Sequence, residues 1–329
     1  MNNEVKGTDK EIDFFIPLHR HHPLFQSCVE AVVKFYYPRT IYIVTMIEEI
    51  EKLKACVHSW NLQKTILCFL EEETFFEEKY SLSKEEIQDR WYTYKDEQSR
   101  EFGWWYQQIL KLGALSKIPN ISDPYIVWDS DLIPIEKWPI YPTKLVPFFQ
   151  FALLQEKEKS VFNKTQYNAS LEDLLFLSEV FPSESKGTFV PHHFIFHHSV
   201  IYSFVERVER IHNLHFFNGL NPEVDLPKKT WIEIILTLSK KYYRFSEYRT
   251  ITTFMNYYYP ELLWYHPFSH YGEKGIRIRD PIESSCFVEN ILQKNIDTNI
   301  NSISYQDFYK FVLDTYKDNL PSYIQVEHL

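Results

Sequence analysis

Asp129 and Asp131 lie within Pro124-Tyr-Ile-Val-Trp-Asp-Ser-Asp-Leu-Ile-Pro134, and their type and spacing suit them to bind a cation. A short apolar, β-prone run between prolines reads as a buried strand. Alternation along a strand turns Asp129 and Asp131 to one face and Ser130 to the other. Two carboxylates at the mouth of such a strand repel each other and attract a cation. Their hard oxygens suit Mg²⁺ or Mn²⁺, ions that keep several waters and take remaining ligands from a diphosphate. An Asp-rich turn after a strand would show the same two residues with no such task, so the surrounding chain has to decide.

Two other stretches could carry chemistry. Gly103-Trp-Trp-Tyr-Gln-Gln-Ile-Leu-Lys111 falls in a helix predicted over 102–117. There Trp104, Gln107, Gln108 and Lys111 recur at i, i+3, i+4 and i+7 and form one stripe. Amide donors and a cation beside an indole suit a diphosphate or a sugar, whereas a solvated stripe would use Glu and Lys more freely. Downstream, Phe245-Ser-Glu-Tyr248 predicts a helix capped near Ser246 with Glu247 in its first turn, where the helix N-terminus stabilises a carboxylate. Glu247 could equally do no more than satisfy free backbone amides. The strand predicted over 188–198 holds four histidines, His193 and His197 on one face and His192 and His198 on the other. Divided in this way and lacking HExxH or cysteine partners, they read as strand histidines or acceptor contacts rather than a zinc site.

The elements that must position these residues follow in order. Strands are predicted near 11–17, 40–45 and 64–70, with helices over 23–37 and 48–60 between them. Strand–helix repetition with apolar strands signals a mostly parallel sheet flanked by helices. Ligands of such sheets sit beyond the carboxyl ends of the strands. That rim carries Leu18 to Arg20, Thr45–Met46 and Glu71–Glu72. Residues 71–101 form a charged excursion, in which Ser83 and Glu86 fit a capping box. An aromatic turn near 138–142 and helices over 148–158, 170–181, 199–212 and 230–240 come next, and 262–271 is expected to return toward the sheet. Without repeats or a Gly/Ser-rich linker, one domain with helical inserts is the economical reading.

Bulk properties narrow the function classes. Aromatic residues make up 17% of the 329, an excess that stacks well on sugars and bases. Biased composition alone could also produce it. Only 7 glycines occur, and neither a P-loop nor a GxGxxG fingerprint is present. The net charge of −10 disfavours nucleic-acid binding. No run approaches a transmembrane helix, the first ten residues lack an apolar signal core, and the four cysteines lack CxxC spacing. Reduced thiols and a cytoplasmic setting are therefore expected.

The Trp-Asp-Ser-Asp element resembles the metal-binding DxD motif of GT-A glycosyltransferases, which use nucleotide-sugar donors. With the WYxQQxxK and Ser-Glu-Tyr segments in this order, residues 12–282 resemble an uncharacterised GT-A-like group of bacteria and large viruses. The resemblance implies an α/β, Rossmann-like GT-A domain over 1–282. A nucleotide-binding half would span 12–72 and a metal and acceptor half 102–282, with 283–329 a helical C-terminal extension. It implies Mn²⁺ or Mg²⁺ on Asp129 and Asp131, with His266 or His270 as third ligand and His266 preferred. Donor contacts would come from His19, Arg20, Thr45, Trp104, Gln107, Gln108, Lys111, Trp128 and Ser130. Glu247 would be the general base, giving inversion; without it a retaining route stays open. The implied activity is hexosyl or pentosyl transfer from a UDP- or GDP-sugar to a glycan or other hydroxyl acceptor. Two rivals share the motif: a metal-dependent phosphohydrolase and a non-catalytic nucleotide-sugar-binding GT-A domain.

Overall fold

The computed structural model describes residues 11–94, 101–138, 140, 150–153, 174–180, 189–217, 228–238, 245–266, 274–294, 302–327 and 329. Of the helix expected over 148–158 the described residues 150–153 form a strand, and of the helix expected over 170–181 only Leu174 and Leu175 are helical among the described 174–180; His270 lies outside the described residues. The first half runs β1 (Phe14–Pro17), α1 (Phe25–Tyr36), β2 (Thr40–Thr45), α2 (Ile47–Cys56) and β3 (Ile66–Glu71). There follow α3 (Glu77–Tyr80), α4 (Lys84–Tyr94), α5 (Phe102–Lys117), β4 (Tyr125–Trp128), β5 (Leu132–Pro134), β6 (Gln150–Leu153) and β7 (His193–Phe196). The remainder is α6 (His198–Phe217), α7 (Trp231–Leu238), α8 (Glu247–Tyr258), β8 (Leu263–His266), β9 (Ile276–Ile278), α9 (Pro281–Lys294), α10 (Tyr305–Tyr316) and β10 (Tyr323–Val326).

The central sheet has five strands in the order β3-β2-β1-β4-β7, all parallel except β7, which runs against β4. The α/β class, the mostly parallel sheet and its flanking helices are therefore as the sequence pattern predicts. Alternation sorts the core into two layers. Phe14 and Ile16 of β1 and Ile126 and Trp128 of β4 face the α1 layer, while Phe15, Tyr125 and Val127 face the layer of α5 and α8. Successive strands step outward from β1 to β3, and then β4 enters on the other side of β1. The strand order reverses there, and a doubly wound sheet opens a ligand crevice at the carboxyl ends beside such a reversal. Pro17 and Trp128 are the last residues of the two strands that flank it.

Several local expectations change. Strand β4 ends at Trp128, and Asp129-Ser130-Asp131 forms a turn closed by Leu132 N–H donating to Asp129 O, 3.2 Å. Strand alternation therefore does not govern the two aspartates. The capping box does form, with Ser83 Oγ accepting from Glu86 N–H, 3.1 Å, and Ser83 N–H donating to Glu86 Oε2, 2.8 Å. Residues 262–266 do return toward the sheet, where β8 pairs with β6 in a separate two-stranded sheet and β6 lies beside β7. The C-terminal region is more than helical decoration. Strand β10 sits between β5 and β9 in a three-stranded sheet, so pairing crosses the boundary expected at 282. No described helix is long and apolar enough to cross a membrane.

Helix α5 is fixed by a close approach. A Cβ at Gly113 would lie 2.3 Å from Phe76 Cε1 and 2.6 Å from its Cζ. Phe76 cannot swing away, because its ring is buried against Phe75, Tyr80, Tyr106 and Trp231. Gly113→Ala is expected to destabilise the fold by roughly 1–3 kcal/mol through overpacking, despite alanine's better helix propensity. Urea unfolding would show this as a lower midpoint with an unchanged slope.

Candidate functional site

Helix α5, the turn after β4, the start of α8 and the residue before β7 bring six side chains together. Lys111, 2% exposed, donates to Asp129 Oδ1 at 2.6 Å and Glu247 Oε1 at 2.7 Å. Its ammonium also lies 4.6 Å from the centre of the Tyr248 ring, within cation–π range. The Tyr248 hydroxyl donates to Asp129 Oδ1 at 2.9 Å, and His192 Nδ1 lies 2.8 Å from Asp129 Oδ2. Gln108 completes the set by accepting from the Glu247 backbone N–H at 3.1 Å. Ser246 holds the N-cap position of α8 but makes no side-chain cap. An amide from α5 therefore satisfies a helix end that the sequence assigns to serine.

Burial alone would push the Asp129 carboxyl up, but Lys111 and His192 overcome it and hold the group well below the usual range. Lys111 is the mirror case: burial lowers its proton affinity, and Asp129 with Glu247 raises it further than burial lowers it. Burial dominates at Glu247 and raises its carboxyl, with Asp129 adding to the rise and Lys111 opposing it. Burial lowers the proton affinity of His192, helped by Arg277 and opposed by Asp129. A neutral imidazole beside an ionised carboxylate donates through Nδ1, which leaves the Nε2 lone pair bare. That atom is buried and has no hydrogen-bond partner.

Asp131 stands apart from this cluster. Burial, Asp129 and Glu327 push its carboxyl up to about 7. Gln325 Nε2 lies 3.4 Å from Oδ1 and 3.3 Å from Oδ2, and among the described residues no cation forms an ion pair with it. Gln325 Oε1 is, like His192 Nε2, buried without a partner. A carboxylate with no ion-pair partner among the described residues, beside the unpartnered Gln325 Oε1, fits a divalent cation whose own waters donate to that acceptor. The fit relies on substrate for the remaining ligands. No group of three or more His, Cys, Asp and Glu among the described residues is arranged to hold a metal. Asp129, Asp131 and His266 thus do not converge as the resemblance implies. His266 closes β8, outside the central sheet, with its ring against Trp264 and near enough to His193 of β7 to lower that imidazole's proton affinity.

The other residues singled out from the sequence divide into near and far. His19 and Arg20 are exposed on the loop after β1. That loop is tied to α2 by His21 N–H donating to Glu49 Oε2, 3.0 Å, and His19 lies against Gly103 at the start of α5. Thr45 ends β2 with its hydroxyl buried and unpartnered. Trp104 and Gln107 are half-buried on α5, and Ser130 is half-buried in the turn. Trp128 is a correction: its ring is fully buried against Trp138 and His193, and Nε1 donates to Leu132 O at 2.9 Å, so it belongs to the core. Glu247 is 4% exposed, and its carboxylate accepts from Lys111 as the counter-ion of that lysine. Tyr248, Arg277 and Gln325 are not singled out by the sequence, which reads His192 only as a strand histidine or an acceptor contact. Tyr248 stood inside the Ser-Glu-Tyr segment, and nothing in the sequence linked Gln325 to Asp131.

The model of one protein family, itself described as of unknown function, matches residues 17–269. No curated protein matches the sequence. Solved structures align along the chain at low similarity. Mouse xyloside xylosyltransferase 1 aligns at 10% identity and TM-score 0.45, over 86% of this chain and 92% of that one. A nucleoside-diphosphate-sugar pyrophosphorylase from Vibrio cholerae RC9 aligns at 7% identity and TM-score 0.33, over 77% and 91%. The glycosyltransferase GlyE of Streptococcus pneumoniae TIGR4 aligns at 8% identity and TM-score 0.33, over 97% of this chain and 55% of that one. Likeness at this level transfers neither substrate nor mechanism to this chain.

Removing the buried cation leaves two carboxylates uncompensated. Lys111→Met is expected to cost roughly 3–5 kcal/mol of folding stability. Without Lys111, Asp129 and Glu247 fold with raised proton affinities. Their contribution is then best kept below the unfolded carboxylate pKa and is lost as pH rises through the folded one. The deficit measured by urea unfolding should accordingly be larger at pH 8 than at pH 5.

Proposed function

The chain belongs to the DUF6492 family, and on that premise we propose that it transfers a sugar from a nucleoside-diphosphate donor to a hydroxyl acceptor, assisted by a divalent metal. The observation that carries the reading is the carboxylate pair on the turn after β4, at the reversal of strand order, with a buried lysine fixed beside it. The resemblance of Trp-Asp-Ser-Asp to the DxD element supports a nucleotide-sugar donor. The exposed loop of His19 and Arg20 lies across the same reversal and suits the nucleotide.

The residues divide the work. Asp131 is the carboxylate that would hold Mn²⁺ or Mg²⁺, because Asp129 already accepts from Lys111, Tyr248 and His192. A bound divalent ion supplies Lewis-acid stabilisation of the charge that develops on a departing diphosphate. Lys111 neutralises Asp129 and fixes the turn that carries Asp131. Glu247 keeps Lys111 charged and aimed. His192, neutral and oriented by Asp129, presents a bare Nε2 that can accept a hydrogen bond from a bound hydroxyl or water.

A thermal-shift screen of nucleotide sugars, with and without Mn²⁺, followed by turnover with sugar acceptors, tests the reading. One UDP- or GDP-sugar should stabilise the protein only when Mn²⁺ is present, by about 2.7 kcal/mol at a hundred times its Kd. Asp131→Ala should keep the fold and lose metal-dependent transfer. Full activity of that variant, undiminished activity in EDTA, or no stabilisation by any nucleotide sugar would overturn the proposal.

A further inference from the structure

We propose that the C-terminal strand β10 is part of the catalytic centre, with Gln325 as the positioning residue that holds the Asp131 carboxylate in place. This rests on the reading of Asp131 as the carboxylate that holds the cation. Strand β10 runs antiparallel to β5 with Gln325 opposite Leu132, the residue next to Asp131. The Val326 N–H donates to Asp131 O at 3.2 Å, and Gln325 Nε2 spans both carboxylate oxygens at 3.4 and 3.3 Å. The chain therefore holds Asp131 at its backbone and at its side chain from one short strand.

Gln325 is 1% exposed in a strand otherwise made of Tyr323, Ile324 and Val326. Packing alone would favour an apolar residue there, since a buried amide is costly unless bonded. This amide spends its donor on one carboxylate and leaves Oε1 buried and unpaired. Asp131 sits on a turn, where no strand ladder restrains it, so an external hold on its rotamer has work to do. Buried contacts far upstream bring the strand here. Ile303 N–H donates to Pro23 O at 2.8 Å, Ser27 Oγ donates to Ile303 O at 2.6 Å, and Tyr305 N–H donates to Glu30 Oε2 at 2.7 Å. These bonds dock the start of α10 on α1. The family match ends at residue 269, so the centre draws a working residue from outside the matched segment.

Hydrogen-bond partners of metal-holding carboxylates, when removed, cost about 10–100-fold in metal affinity. The test measures Mn²⁺ binding to the chain mixed with UDP or GDP, by calorimetry or the electron paramagnetic resonance of free Mn²⁺, corrected for the Mn²⁺ that the nucleotide holds by itself. It compares the full chain with Gln325→Met, which keeps length and burial, and with Asp131→Asn. Gln325→Met should bind Mn²⁺ about tenfold or more weakly at an unchanged melting temperature. In turnover it should need correspondingly more Mn²⁺ while keeping most of kcat at saturation. Gln325→Asn, which withdraws the amide by one methylene, should lose affinity likewise and serves if the Met variant does not fold. Wild-type affinity in either folded Gln325 variant, with Asp131→Asn impaired, overturns this inference and leaves Asp131 its role. Wild-type affinity in Asp131→Asn, or no Mn²⁺ binding by the wild-type chain, overturns both.

Discussion

A lysine ammonium enclosed by two carboxylates constrains this molecule more than any other contact. Lys111 reaches Asp129 and Glu247 from the middle of α5, so three elements distant in sequence must meet at one point. Desolvating such charges is costly, and only close geometry with further hydrogen bonds offsets it. Gln108, Tyr248 and His192 supply those bonds from α5, α8 and the loop before β7. The arrangement contributes specificity of placement more than raw stability, because any slip of α5 would leave an uncompensated buried charge.

That constraint also separates the two aspartates. Asp129 is neutralised and immobile, whereas Asp131, two residues on, carries a raised proton affinity and no ion-pair partner among the described residues. Their adjacency in sequence hides this difference. A turn sends one carboxylate into the α5 and α8 layer and the other toward the sheet that contains β10. One carboxylate organises the protein and the other is left for a ligand.

Much of this was legible in the sequence. Helix α5 follows from its periodicity at its observed boundaries, and the parallel strands follow from apolar runs separated by helical ones. Gln108, Lys111, Asp129 and Glu247 were singled out and do converge. Their mutual pairing was not legible, because a stripe on a helix gives a direction and no partner. The resemblance counts Trp128 among the donor contacts, but strand alternation turns it into the α1 layer. His192 was placed on a regular strand face; with φ at 62° it leaves the strand and turns to Asp129. The pairing of β10 with β5 joins residues nearly 200 apart, a contact to which local periodicity carries no clue.

The most direct test of the central claim is where a metal goes. Crystals grown with Mn²⁺ and a nucleoside diphosphate should show a manganese anomalous peak within coordination distance of an Asp131 carboxylate oxygen, at the reversal between β1 and β4. The diphosphate should complete its coordination and Lys111 should remain on Asp129. A peak away from Asp131, or nucleotide bound without metal at that edge, would contradict the account.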